Sequence, residues 1–310
     1  MNLATPESVR KLQRALYAKA KANPTYRFYT LYDKIYRKDV LQEAWSRCRA
    51  NDGSSGVDGQ SFEGIERKGV ERWVEQLAQE LRTKTYGPQA VRRVYIPKAD
   101  GKKRPLGIPT IKDRVAQMAV VIVLEAIFEA DLTDEQYAYR PKRSAHDAVR
   151  KVHELLNRGY TDVVDADLKG YFDTIPHHEL MKSVARRVSD AAILRLVKTW
   201  LEMAVEETDE RGNKRRTTVN KDSSKGTPQG APISPLLANL YMRRFLLGSV
   251  SKAYESVDSH VRNRLRQWLG RKHKIKGRVE NHFPDEYLYQ KLGVIRLTHF
   301  HTHLPWAKAK

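Results

Sequence analysis

The sequence predicts an α+β fold, and three stretches carry that reading. Residues 62–85 repeat at helical spacing, with Trp73, Leu77 and Leu81 at four-residue steps. Residues 91–110 form an extended block in which Val91–Ile96 alternates weakly and Arg104–Thr110 returns as a strand broken by proline. Residues 163–167, Val163-Val164-Asp165-Ala166-Asp167, read as a short apolar strand that ends on a carboxylate, before a turn at Gly170 and the aromatic pair Tyr171-Phe172.

The bulk numbers bound what the chain can do. Its 310 residues suggest roughly two domains. The balance of 57 Lys+Arg against 37 Asp+Glu leaves a net charge of +20, which fits a polyanionic partner because basic side chains release counterions from phosphate backbones. The alternative is a merely soluble basic surface. The single cysteine, Cys48, excludes an intrachain disulfide framework and thiol-based zinc clusters, and points to a reducing, cytoplasmic setting. Residues 1–14 have no apolar core of signal-peptide type, and the most apolar run, Ala119–Leu124, is too short to span a bilayer. No membrane partner is expected.

In order, residues 7–50 read as helical, and Asn51–Gly59 as a turn-forming loop rich in Gly, Ser and Asp. After 62–85, Tyr86-Gly87-Pro88 stops the helix. In the extended block, Pro97–Lys103 is a basic turn, with Lys98 on one arm of a hairpin and Arg104 on the other. A point ammonium and a forked guanidinium suit the oxygens of a triphosphate, although an ordinary basic hairpin reads the same way. Asp113–Glu129 reads as a long buried helix, and Ser144-Ala145-His146-Asp147 caps another that runs through Leu156.

Strand 163–167 then places Asp165 and Asp167 on one face. Two acids on a half-buried strand are costly unless something positive sits beside them, and a divalent metal ion is the usual reason. Residues 177–184 and 191–204 read as helices, and 205–219 as a charged hairpin closed by Arg211-Gly212-Asn213. Lys225–Met242 is a Gly/Pro-rich loop feeding an apolar helix. Gly226 and Gly230 let backbone approach a ligand there, and Gln229 supplies a neutral two-way hydrogen-bonding group; a plain loop before a core helix fits equally well. Farther on, Arg262, Arg264, Arg266, Arg271, Lys272, Lys274, Lys276 and Arg278 cluster around Trp268, a pattern suited to RNA or to a solvated basic face. His299, His301 and His303, at two-residue steps, are weak zinc candidates, and Asp285-Glu286 reads as structural.

Several blocks, in order, resemble the bacterial group II intron reverse transcriptase/maturases. They are Ile96-Pro97-Lys98 with Lys103–Pro109, Tyr139-Arg140-Pro141 with Ser144-Ala145-His146, Asp165-Ala166-Asp167 with Tyr171–Ile175, and Gly226–Gly230 with Ser234–Asn239. Residues 283–306 resemble the end of the same family's maturase domain. The resemblance implies a right-hand polymerase, with a helical N-terminal extension and fingers over 1–90, fingers and partial palm over 91–248, and a maturase-specific RNA-binding remnant over 249–310. It implies RNA-directed DNA polymerisation by two-metal nucleotidyl transfer with Mg²⁺, dNTP as substrate, and intron RNA and an RNA/DNA primer-template as partners. By position it makes Asp167 the first catalytic carboxylate, with the Leu168 carbonyl helping to hold a metal and Asp165 in support. It sets Phe172 under the incoming sugar, Lys98 and Arg104 on the triphosphate, and Gln229 near the nucleotide and primer-template.

The sequence departs from that pattern in two ways. Ala138 and Lys142 stand where the family commonly has glycine, a change expected to be tolerated. More seriously, two-metal transfer needs several carboxylates holding ions about 4 Å apart, and no Asp-Asp pair occurs in the chain. The family's Tyr-x-Asp-Asp hairpin should follow Met242; instead Arg243–Gly248 runs straight into maturase-like sequence, so a deletion with its seam near Gly248-Ser249 is the expectation. Polymerase activity is then expected to be impaired, with a non-catalytic RNA-binding maturase or a non-functional remnant as the alternative. A palm helix over 233–246 without its covering sheet is expected to expose apolar surface and to favour self-association.

Overall fold

A computed structural model of the chain describes residues 5–97, 101, 103–160, 168, 170–209, 211–248, 250–275 and 277–292. The strand bearing Asp165 and Asp167, the Lys98 and Lys276 positions, and His299, His301 and His303 lie outside the described residues, as do the side chains of Arg104 and of residues 244–257.

Local chemistry sets the N-terminal helices. α1 (Glu7–Ala22) buries Val9, Leu16 and Ala20 on one stripe. The helical stretch expected over 7–50 breaks after it, because residues ahead of a proline are driven out of the α region and Pro24 follows Asn23. A single turn, α2 (Tyr32–Ile35), and α3 (Lys38–Asn51) complete that stretch. The stretch expected over 62–85 likewise splits, into α4 (Phe62–Lys68) and α5 (Val70–Arg82), at Gly69, whose φ of 98° is open to glycine.

β1 (Val91–Pro97) and β2 (Lys103–Ile108) form the expected antiparallel hairpin, with Tyr95 opposite Pro105. α6 (Ile111–Phe128) is apolar nearly all round, so it becomes the centre of the core. α1 and α3 pack on it, and Gln13 donates to the Ile122 carbonyl at 3.0 Å. Its start is fixed by the Thr110 hydroxyl, which accepts the Asp113 N–H at 3.1 Å. The Asp113 carboxylate in turn accepts from Tyr86 Oη at 2.6 Å, the Thr110 hydroxyl at 2.8 Å and the Gln89 N–H at 3.2 Å.

α7 (Ala145–Asn157) opens with the expected Ser144–Asp147 capping box, but it buries none of its residues: Val149, Val152 and Leu156 are exposed. Next come α8 (Tyr171–Thr174), α9 (His177–Ala185) and α10 (Ala191–Leu201). The charged hairpin is β3 (Val205–Thr208) and β4 (Lys214–Thr217). It does not stand alone: β3 joins β1 in parallel through Val91–Val205 and Arg92–Glu206, giving a four-stranded sheet of order β2-β1-β3-β4. That order leaves β2 at an edge, where Pro105 and its missing N–H are tolerated.

A short α11 (Val219–Ser223) precedes α12 (Ser234–Gly248). Leu236, Leu237 and Leu240 on α12 are buried, so the described part of this helix does not carry the exposed apolar surface expected of it.

The chain divides into two compact units, Met1–Tyr241 and Met242–Lys310. The second contains α13 (Val250–Lys272), α14 (Val279–His282) and a π turn at Tyr287–Lys291. Its small core gathers Leu269, Phe283 and Leu288. Gly270 allows this packing, since a Cβ there would stand 2.8 Å from the Val279 side chain.

Candidate nucleic-acid interface

Two polar clasps hold together the scaffold of the first unit. The Asp190 carboxylate caps α10 by accepting the Ala192 and Ile193 N–H groups at 3.0 and 3.3 Å, and its other oxygen accepts the Leu31 and Tyr32 N–H groups at 2.8 Å each. Burial acts to raise its pKa, but these donors outweigh burial and hold the carboxyl below its usual value. Beside it, the fully buried Arg187 donates to the carbonyls of Ala20, Asn23, Pro24 and Tyr26 and pairs with Asp131 at 3.2 Å. The turn after α1 is therefore tied to the junction between α9 and α10.

On this scaffold a cleft of about 700 Å³ forms where three segments meet. The first is α8, entered through Gly170 in the left-handed region at φ 62°. Tyr171 Oη donates to the Ala238 carbonyl at 2.8 Å, and the Phe172 ring meets Tyr139 edge to face at 6.2 Å. The second segment, the Gly226–Gly230 loop, hydrogen-bonds alongside α8: the Thr227 N–H donates to the Phe172 carbonyl at 2.7 Å, and the Gly226 N–H to the Ile175 carbonyl at 2.9 Å. His177 Nε2 donates to the Gly226 carbonyl at 2.8 Å.

The third segment is the end of β2, where the Gly107 N–H donates to the Gln229 carbonyl at 2.6 Å. Gly230, at φ 103°, is required here: a Cβ would lie 2.6 Å from the Gly107 carbonyl oxygen. The Gln229 amide donates to both oxygens of Asp173, at 3.0 and 2.9 Å. Arg114 fixes another wall by donating to the Pro109 carbonyl at 3.0 Å and to the Ser54 carbonyl. Cys48 also lines the cleft, but burial pushes its thiol up to about 12, so it is not a nucleophile. A mostly apolar floor rimmed by an amide, a carboxylate and backbone groups suits a flat heterocycle with a polar edge.

The structure thus brings Phe172 and Gln229, singled out separately in the sequence, to one cleft. Leu168 is 41% exposed. Arg104 stands in β2 opposite Ile96. Asp167 and Lys98 lie outside the described residues. Sequence reading missed Gly107, Arg114 and Tyr139 as parts of the cleft, and Asp173 as the partner of Gln229. Asp173 and Tyr139 sit inside blocks already singled out; Arg114 carried no signal, because its partners come from distant loops. Lys142, in a position the family commonly gives to glycine, adopts φ 59° and so carries left-handed backbone on a lysine.

A metal fits the described residues poorly. Among them, no three His, Cys, Asp or Glu side chains gather where an ion could be held. Asp52 is the carboxylate in the cleft lining; Asp173 stands behind Gln229, and both its oxygens accept from that amide.

In the second unit the basic cluster splits. Arg262 Nη1 donates to Asp285 at 2.5 Å; Arg266 donates to the same carboxylate and, through Nε, to the Phe283 carbonyl at 2.9 Å. Burial alone would raise the Asp285 pKa; the two guanidiniums outweigh it and hold the carboxyl below its usual range. These contacts fit the structural reading of Asp285. Arg264, Arg271, Lys272, Lys274 and Arg278 are exposed, and Asp258 is buried.

Residues 96–261, more than half of the chain, match the family model described as reverse transcriptase (RNA-dependent DNA polymerase). Protein YkfC of Escherichia coli strain K12 is 37% identical over 244 residues, covering 76% of this chain and 61% of the relative. The group II intron-encoded protein LtrA of Lactococcus lactis subsp. cremoris is 35% identical over 218 residues, covering 69% of this chain and 34% of LtrA. Nuclear intron maturase 2, mitochondrial, of Arabidopsis thaliana is 30% identical over 115 residues, covering 37% of this chain and 16% of that protein. The chain therefore spans less than two thirds of the length of each of these relatives.

Proposed function

Because the chain belongs to the reverse transcriptase (RNA-dependent DNA polymerase) family, among the group II intron-encoded reverse transcriptase/maturases, we propose that it binds intron RNA while its polymerase chemistry is impaired. The observation that carries the reading is the meeting of Phe172 and Gln229 in one cleft against the end of β2. In this reading Phe172 lies under the sugar of an incoming dNTP, with Tyr139 against its edge. The Gln229 amide, held by Asp173, faces the nucleotide and primer-template, and Lys98 and Arg104 meet the triphosphate.

The chemical step is the weak part. The family works with divalent metal ions; Mg²⁺ is the ion proposed here, with Asp167 and the Leu168 carbonyl as its first holders. The described residues supply no cage for it, and the chain contains no Asp-Asp pair to complete one. Nucleotide and template recognition are therefore proposed to outlast catalysis. The setting proposed is cytoplasmic; among the described residues no helix is long and apolar enough to cross a membrane. Self-association, where it occurs, would bury the stripe of Val149, Val152 and Leu156 on α7.

The test is equilibrium binding of the full chain to a structured intron RNA across a salt series. The five exposed cations described within the 262–278 cluster, Arg264, Arg271, Lys272, Lys274 and Arg278, each neutralising one phosphate, predict a slope of log K against log salt of about −3.5 or steeper. Affinity that does not change between low and high salt would sink the proposal.

A further inference from the structure

α13 separates its charged residues by face. Residues three and four apart share one side of a helix. One side carries Arg262, Leu265, Arg266 and Leu269, of which Leu269 is buried and the two arginines are clasped to Asp285. Another side carries Val261, Arg264, Trp268, Arg271 and Lys272, all exposed. Trp268 is 54% exposed, with the Lys272 ammonium 4.7 Å from its ring centroid. Among the described residues neither Arg264 nor Arg271 has an ion-pair partner. An indole held out in water amid unpaired cations adds nothing to the small core of Leu269, Phe283 and Leu288.

We infer that Trp268 is a stacking seat for one unpaired base of a single-stranded nucleic acid, with Arg264, Arg271 and Lys272 meeting the phosphates on either side. The inference rests on the proposal that the chain binds nucleic acid and says which of its residues touch the ligand. Charge complementarity selects this occupant, since a polyanion carrying flat rings matches a cationic stripe interrupted by one aromatic face. A base takes the open face of the indole, and the Lys272 ammonium shifts from the ring to a phosphate. Arg262 and Arg266 are excluded from the contact because their guanidiniums are committed to Asp285. Duplexes, whose bases are already stacked, gain nothing from the indole and feel only the cations.

The full chain is titrated against fluorescently labelled oligouridylate, oligothymidylate and an RNA duplex, with wild type, Trp268→Ala and Trp268→Phe compared at fixed salt. The expected result is an about 5- to 100-fold weaker Kd for single strands in Trp268→Ala, little change for the duplex, and recovery of most of the loss in Trp268→Phe. Equal losses on the two oligonucleotides make any single strand the ligand; a loss on oligouridylate alone makes it RNA. Either outcome supports the seat.

Unaltered single-strand binding by Trp268→Ala, as expected if the stripe docks a protein instead, overturns it. So does an equal loss on single strand and duplex. Wild type that binds RNA without depending on Trp268 removes the seat and leaves the proposed function standing; wild type that binds no RNA removes both. Should the alanine variant fail to fold, the fluorescence difference between wild type and Trp268→Phe reports the same contact. Oligouridylate quenches that component if the base stacks on Trp268 and leaves it unchanged if it does not.

Discussion

Replacing Asp190 by alanine tests the scaffold that positions the cleft. The carboxylate accepts four backbone N–H groups, two from the start of α10 and two from Leu31 and Tyr32. The Leu31 site is fully buried and Tyr32 half-buried, so their donors lose a charged acceptor with little water to replace it. A buried donor left unpaired costs about 1–3 kcal/mol, and loss of an N-cap costs about 1 kcal/mol. Together these put Asp190→Ala at about 3–5 kcal/mol, a large share of the stability of an ordinary domain. The sign with pH follows from the depressed carboxyl. A group whose folded pKa lies below its unfolded value stabilises above the unfolded value, about 3.9 for aspartate, and that stabilisation is lost as pH falls through the folded pKa. Wild type therefore weakens below about pH 4 through this group, and Asp190→Asn lacks that part of the acid slope. Urea unfolding followed by circular dichroism measures both. A change under about 1 kcal/mol at neutral pH with an unchanged m value, or an acid slope identical in Asp190→Asn, would refute the reasoning.

Three further outcomes are expected. Gly230→Ala puts a Cβ within 2.6 Å of the Gly107 carbonyl in left-handed backbone, and should cost about 2–4 kcal/mol with a clear drop in Tm; an unchanged Tm would show that the loop does not press on β2. Lys142→Gly should gain about 0.5–1 kcal/mol by relieving φ 59°, whereas Lys142→Val should lose about 1–2 kcal/mol, both read from thermal melts. Asp285→Ala frees the Arg262 and Arg266 guanidiniums and should loosen the second unit by about 1–2 kcal/mol, seen as faster limited proteolysis. Its RNA affinity should not fall, because the variant removes a negative charge; a loss of affinity in folded protein would contradict the clasp.

What could be read from the sequence was what local patterns encode. The apolar run of α6, the Ser144–Asp147 capping box and the hairpin of β1 and β2 were legible because each is written in neighbouring residues. The pairing of Val91 with Val205 was not, since nothing in either strand names a partner so far along the chain. The breaks at Pro24 and Gly69 were visible as residues but were outweighed by the helical spacing around them. At the site, the motifs pointed to Phe172 and Gln229, while the contacts that join them to β2 and Asp173 exist only once the chain is folded. The basic cluster near 262–278 looked uniform in the sequence. Folding separates Arg262 and Arg266, which build the second unit, from Arg264, Arg271 and Lys272, which face solvent.

The central proposal is that a nucleotide and template cleft persists in a chain that keeps Asp167 but has no Asp-Asp pair to complete the site for transfer. Primer extension on an RNA template, with purified protein, dNTPs and either Mg²⁺ or Mn²⁺, tests it most directly. No cDNA is expected from protein that binds the primer-template in the same tube. Sustained cDNA synthesis that disappears in Asp167→Ala would contradict the claim and return the chain to the active polymerases.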